Sequence, residues 1–359
     1  VPDVSALLGR AEQLVTRLAG GLATWARRLE FEPFRLRVIG TAGSGKTQLA
    51  LAVLQDAAAQ GRRALYVCFN RPLADHLARL APEGAEVASF HQFCDRRLRA
   101  AGEQIDYRQP DAFGRLEERS ALLPVPPEKR FDELVVDEGQ DFEPSWKDTL
   151  QRWLRPQGRM WWLEDPLQRL YDRSAVQLPE FVTLRAEANY RSPRDVLGYL
   201  NRLLAPDPPI EAASPIAGGD VEFLTYTDAG SLVAATGRAV TRALHSGFRV
   251  ADTVLVTYCG RERSTLRSFD RIGPHRLKSW QGRYDLFGRP EFSDGELLIE
   301  TVYRFKGQSA PCVILTEVDF ESFDEPARRR LFVGFTRASM KLLVVLSERA
   351  AQALLARAQ

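Results

Sequence analysis

Gly40-Thr41-Ala42-Gly43-Ser44-Gly45-Lys46-Thr47 fits the pattern G-x-x-x-x-G-K-[ST] in full. The apolar run 36–39 before it reads as a strand, and 47–59 after it reads as a helix, which is the context this phosphate-binding loop requires. The glycines let the backbone curl so that its N–H groups face a β-phosphate, and the helix N-terminus adds partial positive charge. Lys46 is placed to reach the β- and γ-phosphates, and Thr47 to ligate Mg²⁺. The nucleotide contacts expected here are Gly40, Gly43, Ser44, Gly45, Lys46, Thr47 and Gln48.

Downstream, Phe131-Asp132-Glu133-Leu134-Val135-Val136-Asp137-Glu138-Gly139-Gln140-Asp141 delivers two carboxylates at the end of an apolar run. Beside a phosphate loop, Asp137 is expected to hold Mg²⁺ through water and Glu138 to polarise the attacking water. That second carboxylate points to hydrolysis rather than transfer to a small molecule. The acidic residues around Asp132 and Asp141 are assigned to the same site.

Short apolar runs alternate with helical patterns along the whole chain, the signature of parallel α/β domains. Strands are predicted at 36–39, 64–69, 87–90, 134–136 and 160–163. Helices are predicted at 47–59, 73–80 and 91–100. A second strand set is predicted at 221–225, 253–257, 297–302, 312–317 and 342–346, closed by a helix at 350–358. Two lobes are expected, 1–180 and 181–359. Residues 102–130 are polar and Pro-containing and read as a small insertion, 204–215 read as a loop, and 260–296 are left unassigned.

The 359 residues are 45% hydrophobic and 27% charged, enough to bury a sizeable core. The net charge of +2 excludes a polycationic tail, so any nucleic-acid contact must come from a local groove. All but six of the 49 basic residues are arginine, a compositional skew. The cysteines at 68, 94, 259 and 312 form no C-x-x-C, which argues against a disulfide framework, a zinc ribbon or an iron–sulfur cluster. Reduced thiols in a cytoplasmic protein are expected. No apolar run approaches the 18 or so residues of a membrane span, so no membrane partner is expected. The chain opens at Val1, which reads as a trimmed chain or a piece of a longer one.

Asp137-Glu138-Gly139-Gln140-Asp141 resembles motif II (D-E-x-Q-D) of the UvrD/Rep-like superfamily 1 helicases, and other motifs follow in family order. Cys68 to Leu73 resembles motif Ia, and Ser89-Phe90-His91-Gln92-Phe93 resembles motif Ib. Glu164-Asp165-Pro166-Leu167-Gln168-Arg169-Leu170-Tyr171 resembles motif III, and Asn189-Tyr190-Arg191-Ser192 resembles motif IV. Thr301 to Gly307 resembles motif V, and Val333-Gly334-Phe335-Thr336-Arg337-Ala338 resembles motif VI. The resemblance implies two tandem RecA-like P-loop NTPase domains with parallel sheets and ATP bound between them. It implies that Gln140 and Gln168 sense the γ-phosphate, that Arg191 and Arg337 act as arginine fingers, that Tyr190 stacks on adenine and that Gly307 lies at the nucleotide. Phe69, Asn70, Arg71, His91, Tyr171, Arg173, Thr301 and Tyr303 fall at or beside family positions that touch single strands, where an aromatic ring stacks on bases without reading sequence. Against this, Phe69 is also readable as core and His91 as a helix cap. Arg96, Arg97 and Arg99 read as a solvated helix face. Of Trp161 and Trp162, one ring is expected in the core and one at the lobe surface.

Several positions depart from the family pattern. Arg173 stands where a Trp is usual, Tyr303 where a His is usual, and Ser309 where motif V carries a Glu. The N-terminal glutamine motif has only Glu12-Gln13 as a weak counterpart. Only 46 positions separate His91 from Asp137, and 110 separate Arg191 from Thr301. The family's 1B and 2B insertions, which occupy these intervals, are therefore expected to be greatly reduced. The resulting expectation is an ATP- and Mg²⁺-dependent translocase or helicase on single-stranded DNA or a single/double-strand junction, with 3′→5′ polarity. A protein partner, or further domains of a longer chain, is expected to supply what the short insertions lack. The alternative is an ATP-gated nucleic-acid switch or sensor in a DNA repair or anti-phage defence complex.

Overall fold

A computed structural model describes residues 20–218, 221–285 and 289–358; the Glu12-Gln13 pair lies outside them. The described residues separate into two α/β units, one ending at Glu187 and one beginning at Ala188.

The first unit is a six-stranded, all-parallel sheet in the order β3-β2-β4-β5-β1-β6. Its strands are β1 (Arg35–Gly40), β2 (Ala64–Cys68), β3 (Glu86–Ser89), β4 (Phe131–Asp137), β5 (Leu154–Glu164) and β6 (Val182–Ala186). The helices α1 (Lys46–Ala59), α2 (Arg71–Ala78), α3 (Phe90–Ala100), α4 (Ala112–Leu122) and α5 (Pro144–Arg152) lie between these strands in the chain. The unit extends past the expected boundary at 180, because β6 pairs with β1 over Leu36–Gly40 and completes the sheet. The insertion 102–130 contains one α-helix, α4, and a 3₁₀ turn at Pro127–Lys129.

Both faces of this sheet are covered, as parallel sheets require. Along β4, Leu134 and Val136 enter one core and Val135 the other. The same alternation corrects the expectation for the tryptophans: both rings are fully buried, Trp162 in the first core and Trp161 in the second. Each indole N–H has an acceptor, as buried Trp requires: Trp161 donates to Glu133 Oε2 (2.7 Å) and Trp162 to Glu164 Oε2 (2.9 Å). The strands expected to end at Phe69 and Phe90 end one residue earlier. Ser89 caps α3 in a capping box with Gln92, so Phe90 opens that helix. His91 is therefore not the cap. Arg97 does not lie on a solvated face either: its guanidinium packs over Phe93, Phe131 and Trp153 and pairs with Glu86.

The second unit has an eight-stranded sheet in the order β11-β12-β14-β10-β15-β16-β9, with β13 paired to β12. Its strands are β9 (Glu222–Tyr226), β10 (Thr253–Thr257), β11 (Arg271–Ile272), β12 (His275–Tyr284), β13 (Pro290–Phe292), β14 (Leu297–Thr301), β15 (Ala310–Val318) and β16 (Ala338–Ser347). A separate short ladder pairs β7 (Ala188–Asn189) with β8 (Glu211–Ala212). Helices α6 (Arg194–Leu204), α7 (Ala229–His245), α8 (Glu325–Phe335) and α9 (Glu348–Ala358) complete the unit. All rungs are parallel except those of β11 and β13 with β12. The fold is thus the tandem, largely parallel RecA-like arrangement that the motifs imply. Among the described residues no helix is long and apolar enough to cross a membrane.

Candidate functional site

In the first unit, the loop 40–47 joins β1 to α1 at the carboxyl edge of the sheet, where open α/β sheets bind ligands. Gly43 (φ 71°) and Gly45 (φ 99°) hold left-handed backbone that a side chain would strain. At Gly40 there is no room for one, since a Cβ would fall 2.4 Å from Ser44 Oγ. The Lys46 ammonium is buried and donates to the carbonyls of Gly40 (2.6 Å) and Thr41 (3.1 Å). Thr41 Oγ1, Ser44 Oγ and Gln48 Oε1 are buried without a hydrogen-bond partner. Buried polar atoms are normally paired, so these three, around a helix N-terminus, fit an incoming phosphate chain.

β4 brings Asp137 and Glu138 to the same edge. Asp137 is buried, accepting the Tyr66 hydroxyl on Oδ2 (2.8 Å) and the Glu138 N–H on Oδ1 (2.9 Å). Burial, then the neighbouring Glu138 charge, pushes its carboxyl up to about 6, against the opposing pull of Tyr66 and Lys46. Glu138 sits in left-handed backbone (φ 55°), a conformation that costs a non-glycine residue free energy and is concentrated at functional sites. Its Oε2 accepts from Gln140 Nε2 (2.6 Å), and Gln140 Oε1 in turn accepts the Asp165 N–H (2.9 Å). Asp165 then holds Gln168 through Oδ2 (2.6 Å). Burial raises the Asp165 carboxyl, with Lys46 opposing. Lys46, Asp137, Glu138, Gln140 and Gln168 therefore share one connected site. Asp165 and Tyr66 belong to it too. Asp165 was visible in the motif III stretch, whereas nothing in the local sequence singles out Tyr66.

Asp132 does not belong there. It lies near the opposite end of β4, pairing with Arg155 and accepting the Arg63 N–H, because five residue steps along the strand carry it about 17 Å from Asp137. Among the described residues no group of three or more His, Cys, Asp or Glu could cage a metal. Thr47 with Asp137 suits Mg²⁺, which keeps waters and shares its shell with substrate phosphates. Gly139, inside motif II, packs on the Trp162 indole, and a Cβ there would fall 2.2 Å from Nε1. Gly139→Ala is expected to destabilise this unit by about 1–3 kcal/mol through overpacking, read as a lower urea midpoint.

The expected single-strand residues of the first unit cluster beside this site and are tied to protein. Phe69 stacks on Trp146 (5.7 Å between centroids) and meets Tyr171 edge-on (4.9 Å). Arg173, in place of the family Trp, lies over Phe69 (4.2 Å), Trp146 (4.6 Å) and Tyr171 (5.0 Å). It also donates to the Asp141 carbonyl (2.5 Å) and pairs with Glu143 (3.1 Å). Arg173 thus ties the cluster together. Asn70 precedes α2 as its N-terminal flanking residue, and Arg71 pairs with Asp75 at 3.7 Å.

His91 Nε2 bonds Glu117 Oε1 (2.8 Å) on α4, and Glu117 Oε2 accepts the Trp146 indole N–H (2.9 Å). The small insertion is thereby fastened to motif Ib. Burial raises the Glu117 carboxyl, but the bonds from His91 and Trp146 outweigh it and hold the group below the usual range. A depressed carboxyl stabilises above its unfolded pKa, and that stability is lost as pH falls through the folded value. The stability advantage of the wild type over Glu117→Gln should therefore be full at neutral pH and begin to fall as pH drops below about 4.3, which urea midpoints across pH will show.

In the second unit, Asn189 Oδ1 accepts the N–H groups of Arg191 (2.9 Å) and Ser192 (2.8 Å), folding the turn that carries half-buried Tyr190. Arg191 Nη2 donates to the Thr336 carbonyl (3.1 Å). Buried Arg337 donates to the carbonyls of Val333 (2.9 Å) and Gln308 (3.0 Å) and to Thr336 Oγ1 (3.0 Å). Both arginines are thus held against motif VI, and Gln308 adjoins Gly307 (φ 82°) of motif V. Thr301 is buried, and its hydroxyl accepts the Arg304 N–H (3.3 Å), capping the turn that carries half-buried Tyr303.

Residues 296–345 match the UvrD-like helicase C-terminal domain, a stretch that spans the motif V and motif VI resemblances and agrees with them. No curated protein matches the chain. Among solved structures, a helicase named for PRRSV is similar over 88% of this chain and 53% of its own, with 14% identity and a TM-score of 0.44. An arterivirus nonstructural protein 10 (helicase) is similar over 86% of this chain and 59% of its own, with 15% identity and a TM-score of 0.39. The same arterivirus protein in complex with DNA is similar over 87% and 60%, with 15% identity and a TM-score of 0.40. The chain spans between about half and three-fifths of the length of these neighbours.

Proposed function

We propose that the chain, whose residues 296–345 match the UvrD-like helicase C-terminal domain, is an ATP-driven single-stranded DNA translocase and helicase with 3′→5′ polarity. The observation that carries this reading is the connected Lys46–Asp137–Glu138–Gln140–Asp165–Gln168 site at one sheet edge. Lys46 releases its loop carbonyls to grip the β- and γ-phosphates of ATP. Thr47 and Asp137 would hold Mg²⁺, which would supply charge neutralisation at the phosphates. Glu138 takes a proton from the attacking water, and Gln140 orients its carboxylate. The chain Gln140–Asp165–Gln168 links that carboxylate to motif III, and the Phe69–Tyr171–Arg173 cluster follows directly. A change at the γ-phosphate can thus be felt where the nucleic-acid candidates stand. The resemblance of their segments to motifs IV and VI implies that Arg191 and Arg337 act as arginine fingers, a role on the order of 10³–10⁵ in rate.

The test is ATP turnover with and without saturating single-stranded DNA at low salt, followed by displacement of a roadblock from strands labelled at either end. Turnover indifferent to the strand would sink the reading. Stimulated turnover with no displacement would favour the ATP-gated switch, which the reduction of one insertion to a single α-helix and a 3₁₀ turn also suits.

A further inference from the structure

Residues 260–296, unassigned from the sequence, build a hairpin against the motif V strand. β12 pairs in parallel with β14 as far as Ser279 opposite Ile299, then runs on to Tyr284 and returns as β13. At about 3.3 Å per residue it extends about 10 Å beyond Thr301, past the carboxyl edge of the sheet.

Trp280 stands where the hairpin leaves the sheet. The Arg304 guanidinium lies 3.6 Å from its ring centroid and that of Arg261 4.8 Å. Arg267 donates to the Trp280 carbonyl (2.8 Å). The Arg267 side chain is only 8% exposed, yet its Nη1 makes no hydrogen bond and lies 3.7 Å from Glu300 Oε1. Gly282 (φ 85°) passes beneath Arg261, where a Cβ would fall 2.4 Å from Nη1.

The charge here is unbalanced. Glu300 is the carboxylate shared by Arg267 and Arg304. Arg261 and Lys278 are both exposed, and among the described residues neither forms an ion pair. Cations stacked on an aromatic ring keep their donor forks fixed and outward. A cationic surface interleaved with aromatic rings is what sequence-tolerant single-strand binding uses.

We propose that the Arg261–Trp280–Arg304 stack, with Lys278 beside it, grips the phosphates of a single-stranded polynucleotide. This rests on the reading of the chain as a nucleic-acid motor. It gives the second unit a strand-holding element within the interval 191–301, where the family's 2B insertion is expected to be greatly reduced. The surface is new to the motif set, since Arg261, Trp280 and Lys278 belong to none of the seven motifs.

The test is fluorescence anisotropy of a labelled oligo(dT) of about twenty nucleotides, titrated at several salt concentrations. The double variant Arg261→Ala/Lys278→Ala removes two exposed side chains, and its urea midpoint should equal that of the wild type. Its affinity should fall roughly tenfold at low salt, and its log K against log[salt] slope should be shallower by about 1.4, or about 0.7 per lost phosphate contact. Unchanged affinity and slope, with the wild type binding, overturns this inference and leaves the motor reading standing. A wild type that does not bind oligo(dT) overturns both. Polyglutamate bound as tightly as oligo(dT) also overturns it, since the surface would then be a site for acidic protein.

Discussion

Lys46→Ala should lower ATP turnover by about 10³-fold or more, down to background in a phosphate-release assay. The ammonium is the positive point charge inside a buried loop whose other groups are neutral dipoles. Removing one preorganised electrostatic donor from such a site typically costs 10²–10³ in rate, and here the donor carries a full charge in a low-dielectric surrounding. A second consequence follows within the site. Lys46 opposes the burial that raises Asp137 and Asp165. Without it both carboxyls rise further. Lys46→Arg does not rescue, because the planar fork is too large for a position fitted by two carbonyls at 2.6 and 3.1 Å. Turnover within tenfold of the wild type in Lys46→Ala would remove this loop from the chemistry.

Glu138→Gln should retain ATP binding and slow hydrolysis by about 10²–10⁴, the range for loss of a positioned general base. The two side chains are close in shape, so the turn at φ 55° and the bond from the residue's own N–H to Asp137 survive. What changes is the acceptor presented to Gln140 Nε2, since the variant amide can offer either an oxygen or an amino group there. Rapid-quench hydrolysis alongside binding of a fluorescent ATP analogue separates the two effects. Equal hydrolysis rates would assign the base elsewhere. Weakened binding with normal hydrolysis would instead make Glu138 a structural member of the network.

The two variants report different links. The first removes a charge that meets the phosphates in the ground state and in the transition state. The second leaves the ground state nearly intact and removes a proton acceptor needed only as the water attacks. A combined variant should be no slower than Lys46→Ala alone, because groups acting as one unit are not additive.

The sequence by itself determined the phosphate loop, the acidic pair after β4, the alternation of strands and helices, and the order of motifs. Each depends on residues adjacent in the chain or one element apart, where spacing and period suffice. Gly40 to Thr47 can hardly be anything else between a strand and a helix. Only the tertiary structure decided the rest, because those contacts join residues far apart in sequence through packing. Trp161 and Trp162 are both core because helices cover both sheet faces. Arg173 is drawn into an aromatic stack whose rings come from 69, 146 and 171. Asp132 leaves the site because β4 is long enough to carry it to the far edge. His91 finds its partner on a helix that the polarity of 102–130 had disguised. The β12–β13 hairpin has no periodic signal because Trp280 finds its partners, Arg261 and Arg304, on segments outside the hairpin rather than along one face of it.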